Sequence, residues 1–213
     1  MLELGLKFAL AYCLGSILGS LAIGRFHSGA DLREVGSRNP GATNALRTHG
    51  KLYALGVMIV DVGKGVVAVL VIPGLAIPGV GIDPEINREL VTYCAAFAAI
   101  LGHVFPLWYS FRGGKGGATA AGIICCLAPL LAGPVIGLWV LVILVTGLVG
   151  LATVLATVGA AALIGATRLP AEPGFFLFAC LIAVLVTYTH RGNIRRMLNG
   201  TEAIVGRPLW RRK

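Results

Sequence analysis

The sequence is poor in charge. Only 13% of its 213 residues are Asp, Glu, Lys or Arg, and nine of those are acidic, whereas a soluble domain carries about a quarter charged residues. With 57% hydrophobic residues and a mean hydropathy of +0.86, the deficit excludes an ordinary soluble globular protein and predicts a polytopic membrane protein. Cysteine is sparse and scattered: Cys13, Cys94, Cys125, Cys126 and Cys180 all lie in apolar stretches and form no CxxC pair. That pattern excludes a disulfide framework and leaves them as small packing residues. Aromatics make up 8% and do not interleave with basic residues, so despite a net charge of +9 nucleic acid is not an expected partner. No A-x-A cleavage pattern follows the first apolar segment, which reads as a membrane anchor rather than a removed signal.

What is present is a series of apolar runs separated by polar loops, and 213 residues suit a single domain, 1–213. The expected spans are Leu4 to Gly24, Leu52 to Pro73, Leu90 to Leu107 and Gly174 to Thr189. Between Ala118 and Ala166 charge is almost absent, and Gly133-Pro134 and Gly147 to Gly150 are the expected breaks. They would leave three short helices of about 15 to 17 residues, tilted, broken or half-inserted. Fourteen of the eighteen basic residues fall in three places: the loop from Arg25 to Lys51, Arg112 with Lys115, and the tail from Arg191 to Lys213. The opposite connectors hold Arg88 and Arg168. The positive-inside rule puts the three basic elements in the cytoplasm. Parity then allows five or seven crossings, and seven is the preferred count, with the N-terminus outside. The predicted fold class is an all-α polytopic membrane bundle.

Three polar elements carry the chemistry. The first runs Gly36-Ser37-Arg38-Asn39-Pro40-Gly41-Ala42-Thr43-Asn44-Ala45-Leu46-Arg47. Its small polar residues let backbone amides turn toward an anion, and Arg47 adds a bidentate fork; a turn-rich connector is the competing reading. The second is Gly102-His103 with Phe111-Arg112-Gly113-Gly114-Lys115-Gly116-Gly117-Ala118-Thr119. Its spacing is not that of a Walker A loop, yet glycines around a lysine at a helix start suit a phosphate. The third is His190-Arg191-Gly192-Asn193-Ile194-Arg195-Arg196, followed by Glu202. An amphipathic tail on anionic lipid explains its arginines but not His190 and Asn193. His27 and His49 read as incidental surface residues. Asp61 and Lys64 stand three apart within an apolar segment; mutual pairing, with an arginine of the first loop as a further partner, is the expected role.

In this order the elements resemble the bacterial acyl-phosphate:glycerol-3-phosphate acyltransferases, the PlsY family. The resemblance rests on Gly41-Ala42-Thr43-Asn44 with Arg47, Asp61-Val62-Gly63-Lys64-Gly65, Gly102-His103-Val104-Phe105-Pro106, Gly113-Gly114-Lys115-Gly116, and His190-Arg191-Gly192-Asn193-Ile194 with Glu202. It spans Gly15 to Glu202. Two departures stand out: Arg38 occupies a position that is glycine in the family, and Gly15-Ser16-Ile17-Leu18-Gly19-Ser20 lacks the family's proline.

The resemblance implies transfer of a fatty acyl group from acyl phosphate to the C1 hydroxyl of glycerol 3-phosphate, giving lysophosphatidic acid and phosphate, without cofactor or metal. It implies catalytic roles for His190, Ser37, Asn193, Lys115 and Arg47. Substrate or phosphate contacts fall to Asn39, Gly41, Thr43, Asn44, His103, Gly113, Gly114, Gly116, Thr119 and Glu202. His190 is either a general base or a binding residue. Membrane lipid and the enzyme that makes acyl phosphate are the implied partners. The H-x4-D pattern of acyl-CoA-dependent glycerolipid acyltransferases is missing, and the only aspartates, Asp31, Asp61 and Asp83, are too far apart for a CDP-alcohol phosphotransferase. The rivals left are a transporter for a phosphorylated small molecule or anion and a catalytically silent paralogue.

Overall fold

Ten α-helices account for most of the chain in a computed structural model that describes residues 1–25 and 31–206. They are α1 (Leu2–Gly15), α2 (Gly19–Gly24), α3 (Ala42–His49), α4 (Lys51–Leu70), α5 (Arg88–Val104), α6 (Gly117–Leu127), α7 (Pro129–Thr146), α8 (Val149–Arg168), α9 (Pro173–Thr189) and α10 (Arg191–Leu198). Among the described residues the only β-type pairing is one isolated bridge, Ile77 to Val80. His27 and the basic residues Arg207, Arg211, Arg212 and Lys213, to which the sequence reading assigned surface roles, lie outside the described residues.

The spans differ from expectation at three points. The first is two helices: Leu18 is extended (φ −86°, ψ 121°) and separates α1 from α2. The expected break at Gly133-Pro134 falls instead at Ala128, because Pro129 opens α7 at a position that needs no amide hydrogen. Pro134 then sits inside α7, where the helix continues past one missing hydrogen bond. The long first loop is not all loop, since α3 occupies its second half.

Among the described residues four helical segments are long and apolar enough to cross a membrane: Lys51–Gly74, Arg88–Tyr109, Pro129–Thr146 and Val149–Arg168. A fifth is reached if Pro173–Thr189 and Arg191–Leu198, bent by 56°, count as one. At 11 residues, α6 rises only about 16 Å. The chain divides into two compact units, Met1–Leu127 and Ala128–Lys213.

In the first unit α1 packs on α5 and α4 on α6. The seams are lined by alanine and glycine, Ala11, Ala95, Ala96, Ala98 and Ala99 among them, as expected where close van der Waals packing must replace the hydrophobic effect. One end of this unit is tied by ions. Lys7 donates to Glu3 (2.7 Å) and to the Pro73 carbonyl (2.6 Å), and Arg88 grips Glu3 with two hydrogen bonds. The polar loops that follow α2 and α5 lie at the other end, where Arg33 donates to the Tyr109 carbonyl (3.4 Å) and stacks over its ring. In the second unit α8 packs on α7 and α9. None of α7 is buried, and its all-round apolar surface suits lipid.

Candidate functional site

In the first unit the loop before α3 is held by one side chain. Asn44 is buried; its amide nitrogen donates to the Leu32 and Val35 carbonyls and its oxygen accepts from the Ser37 amide. Asn44 therefore shapes the loop from inside. Ser37 and Arg47 are exposed and Asn39, Gly41 and Thr43 are half-buried, so these remain at the surface. Gly41 stands just before the first turn of α3; its carbonyl takes the Asn44 and Ala45 amides, which leaves the Ala42 and Thr43 amides as the first-turn donors with no carbonyl one turn back. Arg38 has φ 58°, a left-handed conformation that an L-residue adopts at a cost. The Arg33 guanidinium beside Asp31 holds that carboxyl below its ordinary value, through the hydrogen bonds it donates.

The glycine loop is pinned onto the end of α5. The Gly113 amide donates to the Val104 carbonyl and the Gly114 amide to the His103 carbonyl. Those two amides are turned inward, which leaves the amides at the start of α6 as the candidate donors, with half-buried Lys115 beside them. Gly116 takes φ +83°, open to glycine at little cost. Thr119, expected as a substrate contact, is wholly buried and its hydroxyl has no partner among the described residues. It belongs to the α4–α6 seam, where α4 comes too close for a side chain at Gly65.

Beneath this loop sits a buried charged cluster. Lys64 pairs with Asp61 (3.1 Å) and donates to the carbonyls of Gly15 (2.9 Å) and Ile17 (2.8 Å). Its ammonium also lies 2.7 Å from His103 Nδ1, and Asp61 Oδ1 accepts from the Gly19 amide (3.2 Å). The pair thus satisfies both ends of the helix break, Lys64 capping α1 and Asp61 capping α2. The expected mutual pairing is present; its third member is His103 rather than an arginine. His103 turns inward to this cluster, with 3% exposure.

In the second unit His190 forms the bend between α9 and α10. Its Nδ1 lies 2.8 Å from the Val186 carbonyl. A carbonyl can only accept, so Nδ1 carries the proton and Nε2 is left as the basic nitrogen. Asn193, one turn on, donates to Glu202 Oε1 (2.6 Å), and Arg196 donates to Glu202 Oε2 (2.7 Å). Glu202, expected at substrate, is engaged by both and fixes Asn193. The segment after it is anchored where the Val205 amide meets the Gly147 carbonyl (2.8 Å).

Sequence reasoning missed the Glu3–Lys7–Arg88 cluster, although Glu3 and Lys7 stand four apart at an apolar helix start, a spacing that signals pairing. It also missed that Asn44 and His103 face inward, since a motif gives residue identity and not side-chain direction.

These features define an integral membrane helical protein with polar groups suited to phosphorylated substrates. The comparisons give the family. The model described as "Glycerol-3-phosphate acyltransferase" matches residues 6–200, and the chain belongs to that family. It is 33% identical to the glycerol-3-phosphate acyltransferase of Chlorobium luteolum over 95% of this chain and 96% of that protein. For the one from Chlorobaculum tepidum the identity is 35%, over 90% and 92%. Among solved structures it is similar to PlsY (YgiH), an integral membrane glycerol 3-phosphate acyltransferase, in its glycerol 3-phosphate form, with 34% identity, a TM-score of 0.80 and coverage of 95% and 96%. The lysophosphatidic acid form matches at 32% identity and the same TM-score, covering 95% of each chain.

Proposed function

We propose that this chain acylates the C1 hydroxyl of glycerol 3-phosphate from a fatty acyl phosphate, in bacterial phospholipid synthesis. The observation that carries the reading is its similarity, at a TM-score of 0.80 over 95% of the chain, to a protein solved in its glycerol 3-phosphate form. The lysophosphatidic acid form of the same protein supports substrate and product together.

The roles follow group by group. In the first unit Arg47, Lys115 and the amides opening α3 and α6 hold phosphate oxygens, and Ser37, Asn39 and Thr43 supply polar contacts at the surface loop. In the second, His190 Nε2 takes the proton of the attacking hydroxyl and Asn193 orients the reactants. The hydroxyl oxygen bonds to the acyl carbon, the acyl carbon–oxygen bond to phosphate breaks, and phosphate leaves with its electron pair. An acyl phosphate carries its own good leaving group, so charge stabilisation matters more than acid catalysis, and no acyl-enzyme, metal or cofactor is required. Seven crossings with the basic loops in the cytoplasm complete the reading. Both connector arginines on the opposite side are paired, Arg88 with Glu3 and Arg168 with Glu172, which suits that assignment. A transporter would need its helix break open to substrate, whereas Lys64 and Asp61 fill this one.

The test is lysophosphatidate formation by purified protein in lipid, given glycerol 3-phosphate with palmitoyl phosphate or, in parallel, palmitoyl-CoA, with phosphate release read in the first case and CoA release in the second. Lysophosphatidate from acyl phosphate alone supports the donor assignment. Product from palmitoyl-CoA alone overturns it, and no product from either returns the transporter and silent-paralogue readings.

A further inference from the structure

We propose that Asp61, Lys64 and His103 are positioning residues, which set the geometry of the glycine loop from below by tying it to the break between α1 and α2. The inference rests on the reading of that loop as a phosphate cradle.

Three observations carry it. The first is the cost of the cluster. Asp61, Lys64 and His103 are 1%, 4% and 3% exposed, and Asp61 Oδ2 has no partner among the described residues. Charges within an apolar bundle are expensive, and replacement by packed apolar side chains is often neutral or stabilising. A merely structural seam would not favour them.

The second is connectivity. The Lys64 ammonium touches Gly15, Ile17, Asp61 and His103 together, so one side chain joins α1, α4 and α5 at the level of the break. Leu107, just past α5, adds a further tie by donating its amide to Ser16 Oγ (3.1 Å) within that break. The contact of Nδ1 with Lys64, at 2.7 Å, is shorter than its 3.4 Å approach to Asp61. Nδ1 is therefore the acceptor from the ammonium, and Nε2 carries the ring proton.

The third is what lies above the ring. A Cβ on Gly114 would stand 2.8 Å from His103 Cε1 and 3.0 Å from Cδ2, with Nε2 closer still. The imidazole thus fills the space a side chain at 114 would need. The ring is the floor of the loop, and Gly114 is required by His103 beneath it rather than by a ligand above it. His103, expected to touch phosphate itself, acts through the backbone it supports.

The experiment is a kinetic comparison of full-length protein in lipid, with KM for glycerol 3-phosphate and palmitoyl phosphate measured separately. Lys64→Met, His103→Asn, Gly114→Ala and the double variant His103→Asn/Gly114→Ala are compared with wild type. Lys64→Met is expected to raise KM for at least one of the two phosphates about tenfold, with kcat within about threefold. Gly114→Ala should do the same in the wild-type background, yet add no more than about twofold once His103 is trimmed to Asn. An equal penalty for Gly114→Ala in both backgrounds would overturn the proposal, as would a folded Lys64→Met with unchanged KM values. Amide exchange on the unmodified protein provides a route that needs no variant. Glycerol 3-phosphate or a palmitoyl phosphate analogue should slow exchange at Lys115–Thr119 and also at Gly19–Leu21; protection confined to the loop contradicts the coupling. A wild-type protein with no turnover removes the functional reading and this inference together, whereas an active wild type with additive variants removes only the inference.

Discussion

Gly19 opens α2 against the backbone of α4, and replacing it with alanine should disturb both packing and the buried cluster. A Cβ built there stands 2.6 Å from the Val57 carbonyl oxygen and 3.2 Å from Asp61 Oδ1, where ordinary contact begins at 3.4 Å. The nearest atom is backbone, so α2 must retreat by about 0.8 Å, the difference between the two distances. Overpacking of this kind costs about 2 kcal/mol, which for a chain of this length is a fall in Tm of roughly 4–8 °C. The retreat also stretches the bond from the Gly19 amide to Asp61. Because shifts near 1 Å in positioning groups lower turnover by up to about a hundredfold, kcat/KM should fall more than the stability loss alone explains. The control is Gly63→Ala on α4, where a Cβ meets nothing within 4 Å; it should stabilise the helix by about 0.5–1 kcal/mol. Thermal unfolding in detergent and phosphate release in lipid measure the two effects. Equal Tm values for the two variants would refute the reasoning.

Other substitutions test single statements. Arg38→Gly relieves a left-handed residue at φ 58°; the strain of about 1–2 kcal/mol, less the added freedom of unfolded glycine, leaves a gain of about 0.5–1 kcal/mol in thermal unfolding. Thr119→Val removes a buried hydroxyl that has no partner among the described residues, so stability should rise by about 1 kcal/mol with both KM values unchanged; a raised KM would return Thr119 to the substrate contacts. Glu202→Gln turns an amide donor toward Asn193 or Arg196, losing one charge-assisted bond, about 1.5–3 kcal/mol. Activity should fall alongside Tm, and a drop in activity with Tm unchanged would mean Glu202 touches substrate.

Much of the fold is legible in the sequence. Apolar runs between Lys51 and Gly74 and between Arg88 and Tyr109 are long and open at a charged residue, so their helices could be read directly. The first span could not, because nothing in Gly15-Ser16-Ile17-Leu18-Gly19 forbids a helix; the break is stabilised by Lys64 and Asp61, more than forty residues away. Pro134 misled for the opposite reason: proline marks a break only where the chain does not find its helix start one turn earlier, as it does at Pro129. At the candidate site the residue types were right but their directions were hidden. Asn44, His103 and Glu202 all look like ligands in a motif, yet Asn44 and Glu202 spend their polar atoms on Ser37, Asn193 and Arg196, and His103 turns Nδ1 to Lys64.

The most direct test of the account is a rapid-mixing measurement of phosphate release by purified protein in lipid, first with palmitoyl phosphate alone and then with glycerol 3-phosphate added. Direct transfer predicts no burst of phosphate without the acceptor, followed by steady release matched one for one by lysophosphatidate. A burst of one phosphate per protein before the acceptor is added would mean an acyl-enzyme, and no lysophosphatidate after it would contradict the assignment itself.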